Sequence, residues 1–419
     1  MHRVAMRLDL RRLLRLVMVF GYLCVWAVAA DSHERWVTTW MTANAASDKP
    51  VTFSNQTLRE IVHTTIGGSA VRLRLSNTFG TEAIRLDSVF IGIQKERALL
   101  VPDSNQTVRF GGSPSISIPQ GAEVLSDPIA LGVGSEQNVA ISLFIAGDSG
   151  PATLHGSAFQ TNYISKKGNF AAEEGESHFE KTTTSWFFLS ALEVQAFADV
   201  KGVVVALGDS ITDGAAARTD KNERWTDMLA RRFLAGHNDT AVLNAGIGGN
   251  RVLTSSPCWG QNALARLGRD VLAQAGITAV ILFEGTNDIG QPDTRTLENN
   301  PCLSRTQVSA DEIIAGYQQI IARTHARGVK IFGATILPYQ GFGAWTERGE
   351  AKRVAVNKWI QTSGAFDGVI DFDGAVRDPA NAARMAAQFD SGDHLHPGPA
   401  GQEAMGKAVD MTLFQGSNQ

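Results

Sequence analysis

The sequence has few cysteines, no excess of basic residues and no long apolar run beyond its first 30 residues. Only three of its 419 residues are cysteine, and none has the close ligand spacing of a zinc site. With 13 prolines against 41 glycines the chain is turn-rich without low complexity, and no period indicates a repeat array. The formal net charge of −4 argues against nucleic acid or an anionic membrane surface as partner. These absences leave a globular protein long enough for two domains.

The first 30 residues have the pattern of a secretory signal peptide. Five arginines form a basic segment, residues 16–28 are a short apolar run, and Ala27-Val28-Ala29 fits a cleavage site. Because the run is too short for a comfortable membrane span, we expect secretion, extracellular or periplasmic, with a retained anchor as the alternative. Removal of this segment takes away five arginines and one aspartate, which moves the net charge from −4 to −8.

Two of the three cysteines remain after this cleavage, since Cys24 lies within the predicted signal peptide. Cys258 and Cys302 each follow a proline in a loop context. In an oxidising compartment we expect them to form a disulfide. Two independent buried thiols are the alternative.

Hydrophobic periodicity divides the rest of the chain into two halves, of which the first has period two. Short stretches alternate apolar and polar residues, as in residues 71–75 with the sequence VRLRL, and glycine turns separate them. This pattern predicts an antiparallel β-sandwich domain, jelly-roll-like, over residues 31–198. The polar residues 166–184 are expected to form a long loop.

In the second half, residues 199–419, short apolar runs alternate with longer amphipathic ones. This alternation predicts an α/β domain with a parallel sheet covered by helices on both faces. Ligands bind at the carboxyl ends of the strands in such sheets. The expected strands are residues 203–207, 241–243, 279–283, 330–336 and 369–372, and the expected helices are residues 223–234, 263–274, 310–326, 351–361 and 400–413.

Two separated segments supply a candidate nucleophile and its base. Ser210 stands in the segment GDSITDG, directly after a predicted strand, and its hydroxyl needs a base to remove the proton. Asp393 and His396 lie three residues apart, so one loop can place the carboxylate against Nδ1 while Nε2 faces the serine. His394 and Asp390 are the alternative imidazole and the alternative orienting carboxylate. A serine that only caps the next helix is the alternative for Ser210.

The oxyanion of an acyl transfer needs hydrogen-bond donors aimed at the place where its charge develops. The backbone N–H of Ser210 lies at a predicted helix N-terminus, where the helix dipole also helps. Gly249 presents its N–H closely because it lacks a Cβ. Asn287, in the segment GTND, can donate through its side-chain amide. A tight turn at Gly249 and a helix cap at Asn287 are the alternatives.

These segments together resemble the blocks of the SGNH hydrolase superfamily, also called the GDSL esterase/lipase family. Residues 208–210 resemble its first block, Gly249 the glycine of its second, residues 285–288 its third and residues 393–396 its fifth. The resemblance covers about residues 203–413. The whole chain is similar, more weakly, to secreted bacterial two-domain members of the xylan-esterase-like type.

The resemblance implies a flavodoxin-like three-layer α/β/α fold and a triad of Ser210, His396 and Asp393. It implies an oxyanion hole formed by Ser210, Gly249 and Asn287, and neither a metal nor a cofactor. The implied reaction is hydrolysis of short-chain O-acyl esters, acetyl above all, on a small-molecule or polysaccharide substrate, through an acyl-enzyme. One departure is that an asparagine stands at position 250, where many relatives carry aspartate.

Four aromatic residues near the expected site are candidates for substrate contact. They would form sugar-stacking surfaces or an acyl wall, and ordinary packing is the alternative for each. The candidates are Trp259, Tyr339, Phe342 and Trp345. Two rival functions stay open, namely a lipase or phospholipase for longer chains and a polysaccharide-binding protein with an inactive hydrolase half. We expect no nucleic-acid partner and no stable membrane association. The sequence supports no prediction of the oligomeric state.

Overall fold

Two antiparallel sheets form the first half of the chain. The computed structural model describes residues 35–197, 199–294 and 300–414, so the predicted signal peptide and Cys24 lie outside the described residues. The strands are β1 (Trp36–Met41), β2 (Ser54–His63), β3 (Gly68–Ser76), β4 (Ile84–Leu86), β5 (Ser88–Glu96), β6 (Leu99–Leu100), β7 (Gln106–Thr107), β8 (Ile116–Ile118), β9 (Glu123–Leu125), β10 (Asn138–Asp148), β11 (Leu154–His155), β12 (Asn162–Lys167), β13 (Phe179–Thr183), β14 (Trp186–Phe187) and β15 (Leu189–Ala196). One sheet has the order β1-β15-β3-β9 and the other β13-β12-β2-β10-β5-β6, with β7 beside β5. The short pairs β4-β8 and β11-β14 complete the region.

Strand β3 shows why these residues form a two-faced sheet. Val71, Leu73 and Leu75 are buried in a core that both sheets share. The alternate residues Arg72 and Arg74 point the other way, and the carboxylate of Glu193 on β15 lies 2.6 Å and 2.5 Å from their guanidinium groups. The expected antiparallel β region is confirmed.

The polar stretch that was expected to be a long loop contains a strand. Strand β13 pairs antiparallel with β12, with Thr182 opposite Tyr163. The expectation was wrong for these residues because β13 is the edge of its sheet, and an edge strand with exposed Glu180 and Lys181 carries no apolar alternation.

A five-stranded parallel sheet forms the second half, with helices between its strands. The strands are β16 (Gly202–Gly208), β17 (Thr240–Gly246), β18 (Ile277–Phe283), β19 (Lys330–Ala334) and β20 (Gly368–Ile370), and β21 (Arg377–Asp378) pairs with β22 (Asn381–Met385) as a small hairpin. The α-helices are α1 (Ser210–Asp213), α2 (Trp225–Ala235), α3 (Ala263–Arg266), α4 (Thr286–Gly290), α5 (Ala310–His325), α6 (Glu347–Thr362), α7 (Phe372–Val376) and α8 (Pro399–Ala408). A π-helix covers Leu267–Leu272, and 3₁₀ turns cover Gln291–Asp293 and Met411–Phe414.

The order of the parallel strands determines where a site can form. The sheet runs β17-β16-β18-β19-β20, which is the 2-1-3-4-5 order of flavodoxin-like folds. The chain changes direction across the sheet between β16 and β18, so a crevice opens at the carboxyl ends of these two strands. Ser210 follows β16 and Asn287 follows β18, so both stand at this crevice. The expected α/β fold is confirmed.

The two halves pack directly against each other. The N–H of Thr38 on β1 donates to the carbonyl of Ala275 at 3.0 Å. The N–H of Val242 on β17 donates to the hydroxyl of Thr65 at 3.3 Å. The described residues from Trp36 onward form one compact unit, and one hydrophobic core contains side chains from both halves. The division into domains at residues 31–198 and 199–419 stays a prediction.

A disulfide joins Cys258 to Cys302, as expected, and the alternative of two free thiols is wrong. The two Cα atoms are 5.3 Å apart and the cysteines are 44 residues apart in the chain. The hydroxyl of Ser256 also donates to the carbonyl of Cys302 at 2.9 Å. The bridge therefore ties the loop beyond Gly249 to the segment that follows α4. No helix within the described ranges has the length and hydrophobicity that a membrane crossing requires.

Replacing both bridged cysteines with serine should lower the free energy of unfolding by about 4 kcal/mol, because a 44-residue loop gains freedom in the unfolded chain. Denaturant unfolding of the wild type with and without reductant, beside the double serine variant, measures the loss. The double variant is the control and must not respond to reductant. Equal stability of the wild type in both conditions would contradict the prediction.

Candidate active site

Ser210 begins helix α1 two residues after the end of β16. Asp209 caps this helix, since its Oδ1 accepts the N–H of Ile211 at 2.9 Å. Gly208 has no room for a Cβ, which would lie 2.7 Å from the carbonyl oxygen of Phe283 on the neighbouring strand. The glycine thus lets the chain turn close to β18, and the half-buried serine stands at the head of the helix. The helix-capping alternative is wrong in detail because Asp209, and not Ser210, is the capping residue.

His396 lies between Ser210 and Asp393. Its Nε2 is 2.9 Å from Ser210 Oγ, and its Nδ1 is 2.6 Å from Asp393 Oδ2. A carboxylate only accepts, so Nδ1 carries the hydrogen and the lone pair of Nε2 faces the serine hydroxyl. This is the tautomer that a base needs in order to take the serine proton.

Asp393 is held as an ionised carboxylate. Its Oδ1 accepts the backbone N–H groups of Leu395 at 2.9 Å and of His396 at 2.8 Å. Partial burial opposes ionisation, but the hydrogen bonds from the His396 side chain and from these N–H groups outweigh it and hold the pKa of Asp393 well below its usual range. The carboxylate is therefore ionised throughout the neutral pH range.

Asp390 and His394 form a second pair in the same loop. Nδ1 of His394 lies 2.6 Å from Asp390 Oδ2, so Asp390 orients His394 and not His396. The backbone of His394 is left-handed, with φ of 65°, and its ring packs on Gly341. The structure brings Asp393, and neither alternative residue, into the line of hydrogen bonds that reaches Ser210.

The three candidate oxyanion donors surround one pocket with His396. Ser210, Gly249 and Asn287 all line it. Gly249 has φ of 74°, and a Cβ there would overlap the ring of Trp259, so only glycine fits. The Nδ2 of Asn287 lies 3.0 Å from the carbonyl oxygen of Asn250, which fixes the amide at the mouth of the crevice.

The pocket has a volume of about 320 Å³ and mostly apolar walls. Three of the four aromatic candidates, Trp259, Tyr339 and Phe342, line it, whereas Trp345 packs against the core beside it. Tyr339 is buried, and burial raises the pKa of its phenol. Its hydroxyl is therefore neutral, so the residue contributes a packed ring to the wall.

A buried arginine that the sequence did not single out holds the strand ends together. The guanidinium of Arg266 donates to the carbonyls of Gly208 at 2.9 Å and Ala245 at 2.6 Å, and to Oδ1 of Asn250 at 3.0 Å. Its Nη2 is also 3.7 Å from the carboxyl of Glu284. Asp270, four residues along the chain, lies 3.5 Å from the same guanidinium. The sequence offered no signal beyond one arginine in an amphipathic stretch, because the four partners at the strand ends are distant along the chain.

The same contacts account for the asparagine at position 250. Its Oδ1 accepts from Arg266, while its Nδ2 donates to the carbonyls of Trp259 at 2.8 Å and Gln261 at 2.9 Å. An aspartate would keep the first bond and lose the two donated ones. Asn250 therefore couples the arginine to the loop that carries Trp259.

Buried carboxyl groups lie behind the donors and mark this region as poorly solvated. Burial raises the pKa of Asp209 to about 6 and that of Asp288 to about 6. Burial and the nearby Asp209 raise the pKa of Glu284 well above its ordinary value. Hydrogen-bond donors in such surroundings stabilise a developing negative charge more strongly than they would in water.

Residues 206–404 match the model of the GDSL-like Lipase/Acylhydrolase family. Solved structures that resemble the chain include a mutant acetyl-xylooligosaccharide esterase from Geobacillus Stearmophilus (22% identity, 50% of this chain and 92% of that chain, TM-score 0.38), an acetyl xylan esterase (18%, 49% and 96%, TM-score 0.36) and a GDSL-like lipase from Bacteroides thetaiotaomicron VPI-5482 (16%, 51% and 87%, TM-score 0.35). Similarities this low assign no substrate. No curated protein matches the chain.

Substituting Asp393→Asn should lower kcat by about 10⁴-fold, because the amide no longer holds His396 in the tautomer that accepts the serine proton. The measurement is hydrolysis of p-nitrophenyl acetate at neutral pH.

The matched control is His394→Asn in the same loop. Asparagine tolerates the left-handed backbone of this position, so the loop keeps its shape. We expect kcat near the wild-type value. A large loss in this variant together with a small loss in Asp393→Asn would assign the base to the other pair.

Proposed function

We propose that this chain is a carboxylic ester hydrolase, namely a secreted serine esterase of short acyl groups, acetyl above all, on carbohydrates. The match of residues 206–404 to the GDSL-like Lipase/Acylhydrolase family supports the reaction class. The observation that carries the proposal is the unbroken line from Asp393 through His396 to Ser210, which opens into a small pocket lined by oxyanion donors.

The first half of the reaction acylates the serine. Ser210 Oγ bonds to the ester carbonyl carbon while His396 Nε2 takes the hydroxyl proton, and the carbonyl electron pair moves onto its oxygen. The N–H groups of Ser210 and Gly249 and the amide of Asn287 would bind this oxyanion. When the intermediate collapses, the bond to the alcohol oxygen breaks and His396 gives its proton to the leaving alcohol.

The second half regenerates the enzyme. Water attacks the acyl carbon as His396 takes one of its protons, and the same donors hold the second oxyanion. The ester bond to Ser210 then breaks, the acid leaves and the proton returns to the serine oxygen. The ionised Asp393 stabilises the imidazolium that forms in both halves.

The size of the pocket supports a short acyl group. Its volume of about 320 Å³ lies at the lower end of the range for ligand pockets, roughly 300–1,000 Å³. Leu303, Phe342 and Leu395 supply apolar walls beside the serine. A long acyl chain would have to extend out of this pocket.

The polar part of the pocket supports an alcohol rich in hydroxyl groups. Gln291 and Thr294 line it beside Trp259, so hydrogen-bonding groups and an aromatic ring occur together, as sugars require. The signal-peptide pattern and the disulfide between Cys258 and Cys302 support an oxidising, exported location.

Hydrolysis of p-nitrophenyl esters from acetate to palmitate, beside acetate release from acetylated xylan, tests the substrate class. We expect the highest kcat/KM with acetate or butyrate and Ser210-dependent release of acetate from xylan, with Ser210→Ala as the control. A maximum at long chains would replace the proposal with a lipase. Absence of Ser210-dependent turnover on every ester would favour a polysaccharide-binding protein.

Substituting Phe342→Ala should shift the preferred acyl chain from acetate toward hexanoate, because the variant removes a ring from the pocket wall. The measurement is the ratio of kcat/KM for the two p-nitrophenyl esters. Trp345→Phe is the matched control, since this neighbouring aromatic lies outside the pocket lining and its buried Nε1 has no hydrogen-bond partner among the residues that the structure describes. An unchanged ratio in Phe342→Ala would remove Phe342 from the acyl site.

A further inference from the structure

A histidine of the β region reaches the half of the molecule that contains the active site. His155, at the end of β11, is buried, and its Nε2 lies 3.0 Å from Asp213 Oδ1. Its Nδ1 lies 2.8 Å from the carbonyl oxygen of Ala43. Asp213 is the last residue of α1, the short helix that begins at Ser210. The pair therefore joins the β region to the helix that carries the nucleophile.

The partners of His155 determine its charge. A backbone carbonyl and a carboxylate both only accept hydrogen bonds, so each ring nitrogen must carry a hydrogen and the ring is an imidazolium. Burial alone would lower the pKa of His155, but the Asp213 carboxylate outweighs burial and raises this pKa above its ordinary value. His155 and Asp213 thus form a buried ion pair with both side chains 5% exposed.

The second oxygen of the same carboxylate contacts the loop that carries the oxyanion donor. Asp213 Oδ2 accepts the N–H of Gly248 at 3.1 Å. Gly248 directly precedes Gly249, whose own N–H is the candidate donor. At the start of this loop, Gly246 lies so close to the backbone of Asp213 that a Cβ would overlap it. One carboxylate therefore links the imidazolium of His155 to the position of Gly249.

The junction itself is unsuited to a carbohydrate ligand. A small cavity lies there, with Trp40, Trp186 and Arg224 in its lining beside His155. Its volume of about 40 Å³ is enough for a water molecule or two and far below the size of ligand pockets. Sugar binding therefore does not explain why aromatic and charged residues are gathered at this junction.

We propose that His155 is a positioning residue for ester hydrolysis, which the β region supplies and which fixes the oxyanion loop through Asp213. The proposal rests on the proposed function and adds a role for the β region. His155 does not line the active-site pocket, so it acts through the carboxylate and Gly248. If the ion pair is broken, the carboxylate of Asp213 can rotate away from Gly248. The N–H of Gly249 is then no longer held in the direction of the oxyanion. A donor aimed at the oxyanion acts in the transition state, so its loss lowers kcat and leaves KM.

Two amide substitutions separate the two hydrogen bonds of the ring. The side-chain nitrogen of glutamine reaches the place of Nε2, so His155→Gln keeps a donor for Asp213. The side-chain nitrogen of asparagine reaches only the place of Nδ1. His155→Asn therefore keeps the hydrogen bond to Ala43 and loses the hydrogen bond to Asp213. Both variants remove the charge, which makes each a control for the other.

The measurements are kcat and KM with p-nitrophenyl acetate and the rate at which a phosphonate ester inactivates Ser210. We expect His155→Asn to lower kcat by about tenfold or more relative to His155→Gln. This loss is smaller than the roughly 10²–10³-fold loss of kcat on removal of a whole oxyanion donor, because the Gly249 N–H is misdirected and not removed. KM should stay near that of the wild type. Inactivation should slow by the same factor, since the phosphonyl group also places an oxygen in the oxyanion hole.

Glu136→Gln is the control for general weakening of the junction. Glu136 pairs across the same junction with Arg231 at 2.7 Å, without contact to the oxyanion loop. This variant should lower the melting temperature and keep kcat. Equal kcat in the two His155 variants, or an equal loss in Glu136→Gln, would overturn the proposal. If His155→Asn fails to fold, Asp213→Ala replaces it, because alanine accepts from neither His155 nor Gly248. This variant must lower kcat at least as much.

Failure of the proposed function is distinguishable from failure of this inference. A wild-type protein without Ser210-dependent ester turnover would refute the former, and the phosphonate rates would still compare the His155 variants. If the wild type is an esterase, but His155→Gln and His155→Asn have equal rates of ester hydrolysis and of phosphonate inactivation, the inference alone is refuted.

Discussion

The buried charge of Arg266 holds the catalytic rim in one arrangement. A guanidinium without exposed surface is stable only where acceptors surround it, and here the ends of three strands provide them. The carbonyls of Gly208 and Ala245 precede the serine and glycine loops, and Glu284 precedes the amide donor. Since one planar group contacts all three strand ends, it links the segment of the candidate nucleophile to the segments of the candidate donors.

The candidate catalytic residues could be identified from the sequence, and the residues that support them could not. Ser210, Asn287, Asp393 and His396 stand in short segments whose composition is dictated by chemistry, so a few adjacent letters identify them. Arg266 and its contact at Gly208 are 58 residues apart, and so are His155 and Asp213. Such contacts exist only after the sheets have assembled, and no local pattern encodes them.

The fold follows the same division between local and long-range information. Apolar runs predicted all five parallel strands and most of the helices, because strands buried on both faces leave a strong pattern. The expected helix at residues 263–274 instead becomes α3 followed by a π-helix at Leu267–Leu272, a change in backbone pairing that apolar spacing does not report. The hairpin of β21 and β22 was missed because its strands are two and five residues long and mostly unburied.

The overlap that a side chain at position 249 would make with the ring of Trp259 has an evolutionary consequence. A lineage that enlarges the residue at 249 must first lose the indole, and a lineage that keeps the indole can keep only glycine. The left-handed backbone at 249 adds a second barrier in the same direction. The residue types at positions 249 and 259 are therefore expected to covary among descendants of this chain, although ten residues separate the two positions.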